Sequence, residues 1–295
     1  DDEVLDEIKD LIPLAPLHNP GAVSGIEAAR AEFDVPHVAI FDTAFFNTLP
    51  AAAVTYAIPR DLAQTYRIRR YGFHGTSHHY VSQVAAELVG RDLGELNQIV
   101  LHLGNCCSAS AVRGGVAVET SMGLTPLQGL VMGTRSGDVD PGLHTFLHNE
   151  LGMTIAEIDT LLNKQSGLKG MAGVNDFREL EERRGAGDEA AQLAFEVYVH
   201  RLKHYLGAYS ILLGRLDLLS FTAGVGENNP TLRAAVVDGL EGLGFLVDPE
   251  LNAVRSNQAR VISPSGAPIT IAVVPTNEEL AIARQTVALL ESHTD

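Results

Sequence analysis

The residues best suited to chemistry lie in short clusters. Residues 119–141 carry Gly123, Gly129, Gly133 and Gly137, one arginine, Arg135, and two carboxylates, Asp138 and Asp140. Glycine lets the backbone approach a ligand closely. A lone guanidinium among small residues offers a two-pronged donor to an oxyanion. The ordinary alternative is a loop with a surface arginine, and spacing alone does not choose. Residues 69–78 bring together Arg69, Arg70, His74, Thr76, Ser77 and His78. His74, between Phe73 and Gly75, can donate to a phosphoryl oxygen. His78 reads better as a residue near a helix start with a structural hydrogen bond.

Two further segments, 102–108 and 224–228, read as strand-to-turn passages. Such turns can present backbone N–H groups to phosphate, though each alone is a weak signal. Gly-Val-Gly-Glu-Asn at 224–228 is not the dinucleotide fingerprint. The chain has no GxxxxGK[ST], which excludes a P-loop kinase, and no protein-kinase HRD or DFG set.

Elements that could position these clusters alternate along the chain. Apolar runs at 38–41, 99–103, 218–221 and 269–274 read as strands, each ending in a polar or glycine-rich turn. Ligands of α/β sheets bind at such carboxyl ends. Residues 111–118, with Gly114-Gly115 at the centre, read as a hairpin. Ser77 can cap a helix carrying Val81, Val84 and Leu88. Residues 188–213 form the longest expected helix; its stripe of Phe195, Val199, Leu202, Leu206, Tyr209 and Leu213 is core, not a cofactor box. Residues 183–187 read as a surface loop, and 278–290 as a terminal helix. The mixture argues an α/β fold with a mixed sheet.

The 295 residues favour about two domains, and a formal net charge of −16 argues against nucleic acid as a partner. An acidic chain can still bind a nucleotide through local cations, a metal and backbone N–H groups. Lys9, Lys164, Lys169 and Lys203 are the only lysines, so a phosphate clamp must rest on arginine. No apolar run approaches the ~20 residues of a membrane span, and the acidic start is the wrong sign for a secretory signal. The reading is a soluble, cytoplasmic protein without a membrane partner. Cys106 and Cys107 are adjacent; a vicinal disulfide is strained, so they read as reduced thiols.

Six strings then occur in a telling order: FDTAFFNTLP (41–50), RRYGFHGTSH (69–78), HLGN (102–105), TSMGLTPLQGLVMGTRSGDVDPG (120–142), AGVGEN (223–228) and PTNEEL (275–280). They resemble the signatures of the acetate kinase family, and the likeness runs from PLHNP (16–20) to the end of the chain. The resemblance implies the superfamily of acetate and sugar kinases, heat-shock chaperones and actin. It implies two ribonuclease-H-like (actin-like ATPase) α/β domains with mixed sheets and a cleft between them. Residues 1–42 with 279–295 would belong to the N-terminal domain, and 43–278 would form the nucleotide-binding domain. The implied reaction is ATP + acetate ⇌ ADP + acetyl phosphate, with Mg2+, or Mn2+ in its place. A homodimer is implied as well.

Matched position by position, the family's pattern makes Asp42 the active-site aspartate, and His74 and Arg135 the transition-state stabilisers. His102, Leu103, Gly104, Asn105 and Cys106 match one ATP loop, and Gly224, Val225, Gly226, Glu227 and Asn228 the other. Asp176, Phe177 and Arg178 match the nucleoside segment, and Glu278 a magnesium-associated carboxylate. Leu17, His18 and Pro126 would surround the acetate. The chemistry agrees with these roles. A carboxylate with a pKa near ~4 is already ionised at neutral pH and needs no base. Catalysis reduces to positioning and to neutralising a transferring phosphoryl group. Asp42 is then expected to orient the metal, its waters or Arg135.

Two departures from the pattern stand out. The family opens with an Asn-bearing strand and a Ser-rich phosphate turn, then an Arg-Val-Val-His-Gly-Gly segment; neither string occurs here. The expectation is that this N-terminal segment is missing from the sequence rather than deleted from the protein. Cys106 also stands where the family has glycine; if that position needs φ > 0 or lets a phosphate approach, cysteine is strained or obstructive there. Alternatives are a propionate or butyrate kinase, a non-catalytic nucleotide-binding relative, and a redox or metal protein built on the cysteines. The last is disfavoured by cysteine spacing.

Overall fold

The computed structural model describes residues 1–12 and 19–292. The chain falls into two compact units, Asp1–Phe41 with Ile282–Asp295, and Asp42–Ala281. In the smaller unit, helices Asp2–Asp10 and Asn19–Glu32 pack through Leu5, Ile8 and Val23. Exposed ion pairs join Lys9 to Glu27 at 2.9 Å and Arg30 to Asp2 at 2.8 Å. Such pairs contribute at most ~1 kcal/mol each, so the apolar contact dominates.

The larger unit is built on one six-stranded sheet. Its strands are β1 (Asn97–Leu103), β2 (Cys107–Arg113), β3 (Val116–Thr120), β4 (Leu218–Thr222), β5 (Arg260–Val261) and β6 (Thr270–Val273), in the order β3-β2-β1-β4-β6-β5. β3, β2 and β1 pair antiparallel, β1-β4 and β4-β6 parallel, and β5-β6 antiparallel. This is the α/β class with a mixed sheet read from sequence. β1 and β4 are buried almost throughout because helices cover both faces, which is why they read as unbroken apolar runs.

Alternation assigns the faces. Ile99, Leu101, Leu103, Leu219 and Phe221 join the core under helix Glu189–Leu213, whose predicted stripe is buried. Each such side chain contributes roughly 1.5–3 kcal/mol. Val100 and Leu218 meet Val81 and Ala85 of helix Gly75–Val89. His102 shares a face with Val100 and therefore lies under that helix.

Four local expectations are corrected. Residues 38–41 form no strand; among the described residues the smaller unit offers none to pair with, and an unpaired strand leaves its backbone groups to water. The helix expected to start after Ser77 starts at Gly75, with His74 at its cap, and Ser77 is buried inside it. Residues 223–228 form a short helix, not a turn. Helix Phe177–Gly185 runs through most of the expected surface loop. Among the described residues no helix is long and apolar enough to cross a membrane.

Candidate active site

His74 adopts a left-handed backbone, φ 60° and ψ 26°, as the chain turns into helix Gly75–Val89. That turn lets the first N–H groups of the helix face one acceptor, Asp42. The His74 N–H donates to the Asp42 carboxylate at 2.6 Å, and the Gly75 N–H donates to the Asp42 carbonyl at 2.8 Å. A Cβ on Gly75 would collide with that carbonyl, so glycine is required by close approach. Among the described residues no hydrogen bond or ion pair joins Asp42 to Arg135. Asp42 is held instead by a helix N-terminus, where negative charge is favoured.

The His74 ring lies parallel to that of His102, with centroids 4.3 Å apart and planes 10° apart. His102 is near the end of β1 and nearly buried. Its Nδ1 pairs with the Ser77 hydroxyl at 2.8 Å. His78 sits between the hydroxyls of Ser108 and Ser110, at 2.7 and 2.8 Å. That is the structural role read from its sequence.

Burial, helped by the His74 charge, pushes His102 down to about 3, and burial pushes His78 well below the usual histidine range. Both rings are therefore neutral in the folded protein. Above pH 6.5 the folded and unfolded chains agree in charge at these sites, and their stability contribution is complete. As pH falls below 6.5 the unfolded chain takes up protons that the folded chain refuses, so stability drops. For His102 the loss by pH 5 is expected to be roughly 2 kcal/mol. Urea unfolding of the wild type and of His102→Asn at pH 7 and pH 5 tests this. The variant should lose less over that interval; an equal loss would contradict the assignment.

Arg135 approaches the far end of the same β1–β2 connection, its Nη1 lying 3.1 Å from the Cys106 sulfur. So His74 and Arg135 both contact the stretch that begins at His102 and ends at Cys106. The Arg135 loop is pinned by helix Gly167–Ala172, whose Leu168 and Lys169 N–H groups donate to Met132 and Gly133 carbonyls at 3.0 and 2.9 Å. Asp138 clamps its other end, accepting from the Gly129 N–H at 3.0 Å and the Tyr205 hydroxyl at 2.6 Å. Between them, Gly137 has φ +68°, and a Cβ there would lie 2.5 Å from the Gly129 and Leu130 carbonyls.

Cys106 does not have a left-handed backbone, so the strain that a positive φ would bring does not arise there; Ala223, which opens helix Ala223–Asn228, has φ 63°. Cys106 and Cys107 are free thiols. Cys107 is buried against the Tyr198 hydroxyl at 3.0 Å, and burial pushes its thiol up to about 12. It is inert.

A cavity of about 580 Å³ opens beside this connection. Gly104 and Asn105, Asp176, Phe177 and Arg178, and Gly224, Val225 and Asn228 all line it. Gly133, from the glycine-rich stretch, lines it as well, and so do Asn175, Leu168 and Asn229, which were not singled out from sequence. Asn175 was legible as a polar neighbour of Asp176. Phe177 is buried by ring contacts with Phe195 and Tyr198, so it offers the cavity an edge of the core. Asp176 and Arg178 pair at 2.6 Å, and the arginine is almost fully exposed. That pair holds the Asp176 carboxyl down at about 2.

Other predicted residues act differently. Leu103 is wholly buried, so only its backbone can serve a ligand. Gly226 packs its helix against Phe221 and Leu103. Glu227 accepts the Thr276 N–H at 3.1 Å. Pro126 is half-buried in the glycine-rich stretch and does not line the cavity. Leu17 and His18 lie outside the described residues.

Glu278 opens helix Glu278–Ser292; burial, and then the Asp42 charge, push its carboxyl up. A carboxyl whose ionisation is opposed by a neighbouring carboxylate suits a cation beside it. No group of three or more His, Cys, Asp or Glu poised for a metal exists among the described residues. Two carboxylates are enough for a cation that takes its other ligands from phosphates and water.

A family model described as the acetokinase family matches residues 1–284. The acetate kinase of Streptomyces coelicolor is 60% identical over 98% of this chain and 72% of its own length. The crystal structure of Porphyromonas gingivalis acetate kinase superposes with a TM-score of 0.95 at 44% identity, covering 98% of this chain and 73% of that one. A propionate kinase from Francisella tularensis superposes with a TM-score of 0.90 at 45% identity, covering 96% and 72%.

Proposed function

The chain belongs to the acetokinase family, and from that premise we propose how its residues carry the ATP-dependent phosphorylation of acetate to acetyl phosphate. The observation that carries the reading is the cavity in which three segments, distant in sequence, meet at the carboxyl ends of β1 and β4. Residues 104–105, 176–178 and 224–228 there frame the nucleotide. Gly104 and Gly224 let the backbone near the phosphates, and Phe177 offers an apolar edge to the nucleoside.

Acetate attacks already ionised, so the chain has no proton to remove. Arg135 and His74 neutralise the oxygens of the transferring phosphoryl group from the two ends of the β1–β2 connection. Asp42 and Glu278 are the side chains that would hold a divalent cation, Mg2+ or Mn2+, which neutralises ATP phosphates when bound. Asp42 also fixes His74 by accepting its N–H. Leu17, His18 and Pro126 surround the acetate methyl group in this reading. Acetate is preferred over propionate here because the curated relatives at 60% identity are acetate kinases. A homodimer in the cytoplasm completes the reading.

The test is trapping of acyl phosphate as hydroxamate, with ATP and acetate, propionate or butyrate in parallel. Acetate is expected to give the highest kcat/KM, by about tenfold or more per added methylene. EDTA should abolish turnover and Mg2+ restore it, and the same preparation should sediment at twice the chain mass. ATP binding without acyl phosphate from any of the acids would identify a non-catalytic relative.

A further inference from the structure

We infer that the hydroxyls of Thr276 and Ser77 form a relay that fixes the ring of His102, and through it the platform on which His74 stacks. The inference rests on the reading of His74 as a phosphoryl-stabilising side chain, but its evidence is separate. The relay begins at the nucleotide side. Glu227, in helix Ala223–Asn228, accepts the Thr276 N–H at 3.1 Å and so places that residue. The Thr276 hydroxyl donates to Ser77 Oγ at 2.9 Å. Ser77, acting there as acceptor, has its own proton left for its other partner, His102 Nδ1, at 2.8 Å. A ring that accepts at Nδ1 carries its hydrogen on Nε2.

The ring so fixed is the one stacked 4.3 Å from His74. Because burial keeps His102 neutral, the open question for this ring is its tautomer rather than its charge. Without the Thr276 donor, Ser77 could either give or take a proton at Nδ1, and both tautomers would coexist. Thr276 also lies two residues before Glu278. One side chain thus ties the nucleotide helix, the carboxylate at the start of the terminal helix, and the stacked histidines into one assembly. Thr276 and Ser77 are positioning residues: neither needs to touch the substrate.

The test uses the full chain and three variants, Thr276→Val, Thr276→Ser and His74→Ala. Kinetics are combined with nitrogen NMR of the histidine rings at neutral pH. Thr276→Val keeps the side-chain shape and removes the hydroxyl. It is expected to lower kcat about tenfold, to leave the acetate KM within about twofold, and to move the His102 nitrogens from one tautomer toward an average. Thr276→Ser should restore both the rate and the spectrum, and Thr276→Ala substitutes for the valine variant if that one does not fold. An unchanged His102 spectrum in Thr276→Val overturns the relay, as does Thr276→Ser being as impaired as Thr276→Val. Full activity in His74→Ala, with the spectral shift intact in Thr276→Val, removes the phosphoryl role of His74 and leaves the relay standing.

Discussion

Replacing Arg135 by alanine is expected to slow acetyl phosphate formation about 10³-fold or more, with a far smaller change in the KM for ATP. The reason is what the guanidinium touches. Its side-chain partners are two sulfurs, Cys106 at 3.1 Å and Met132 at 4.0 Å. None of the ion pairs among the described residues involves it. Sulfur is a weak acceptor, so the positive charge is held in place without being neutralised. A half-buried cation kept unpaired is poised for an anion that arrives with the reaction. Its loop is meanwhile fixed by backbone bonds from helix Gly167–Ala172 and by Asp138. Arg135→Lys should also lose most of the rate, because a single ammonium cannot reproduce a two-pronged donor. Stability should hardly move, since only contacts to sulfur are lost. A loss of less than about tenfold, or an effect confined to KM, would refute the assignment.

How much of this was legible in the sequence depended on what each residue answers to. β1, β4 and β6 were readable because strands buried on both faces need little but apolar side chains. Helix Glu189–Leu213 was readable because its stripe faces one core. The misreadings have tertiary causes. Ser77 looked like a helix cap, the commonest use of such a residue at a helix start, yet it lies inside the helix with its hydroxyl on His102. Local sequence could not show that β1 would bring a histidine beneath it. His74 takes a left-handed backbone that histidine seldom adopts, and only the two bonds to Asp42 explain it. Residues 38–41 were apolar enough for a strand, but a strand also needs a neighbour, and composition is silent on neighbours. Cys106, standing where the family pattern has glycine, would be strained only at a positive φ, which it does not adopt. The site segments were legible by type and order, but the contacts of Arg135 with sulfur and of Thr276 with Ser77 were not.

Arg233 was not singled out at all, and its removal is expected to be the most damaging change to the fold around the proposed nucleotide cavity. The side chain is 1% exposed, yet no carboxylate pairs with it among the described residues. Burial and the nearby Arg260 charge lower its pKa to about 10, still well above neutral pH, so it remains a cation. Its compensation is a set of neutral acceptors. Nε donates to Asn252 Oδ1 and Nη2 to the Asn252 carbonyl, both at 2.7 Å. Nη1 donates to the carbonyls of Gly226 and Glu227 at 2.8 and 2.9 Å. The last two belong to the final turn of helix Ala223–Asn228, where carbonyls lack helical partners and positive charge is favoured. Arg233→Met fills similar space but orphans all of these acceptors together. Each buried orphan costs on the order of 1 kcal/mol or more, so the expected destabilisation is about 3–5 kcal/mol. The same helix lines the cavity proposed for the nucleotide, so the KM for ATP should rise while the KM for acetate stays near its wild-type value. Arg233→Lys should fall between the two, because three ammonium donors cannot serve every acceptor at the distances a planar guanidinium reaches. Denaturant unfolding of the three proteins checks the order. If Arg233→Met unfolds within about 1 kcal/mol of the wild type, water has replaced the guanidinium at little cost, and Arg233 does not brace that helix.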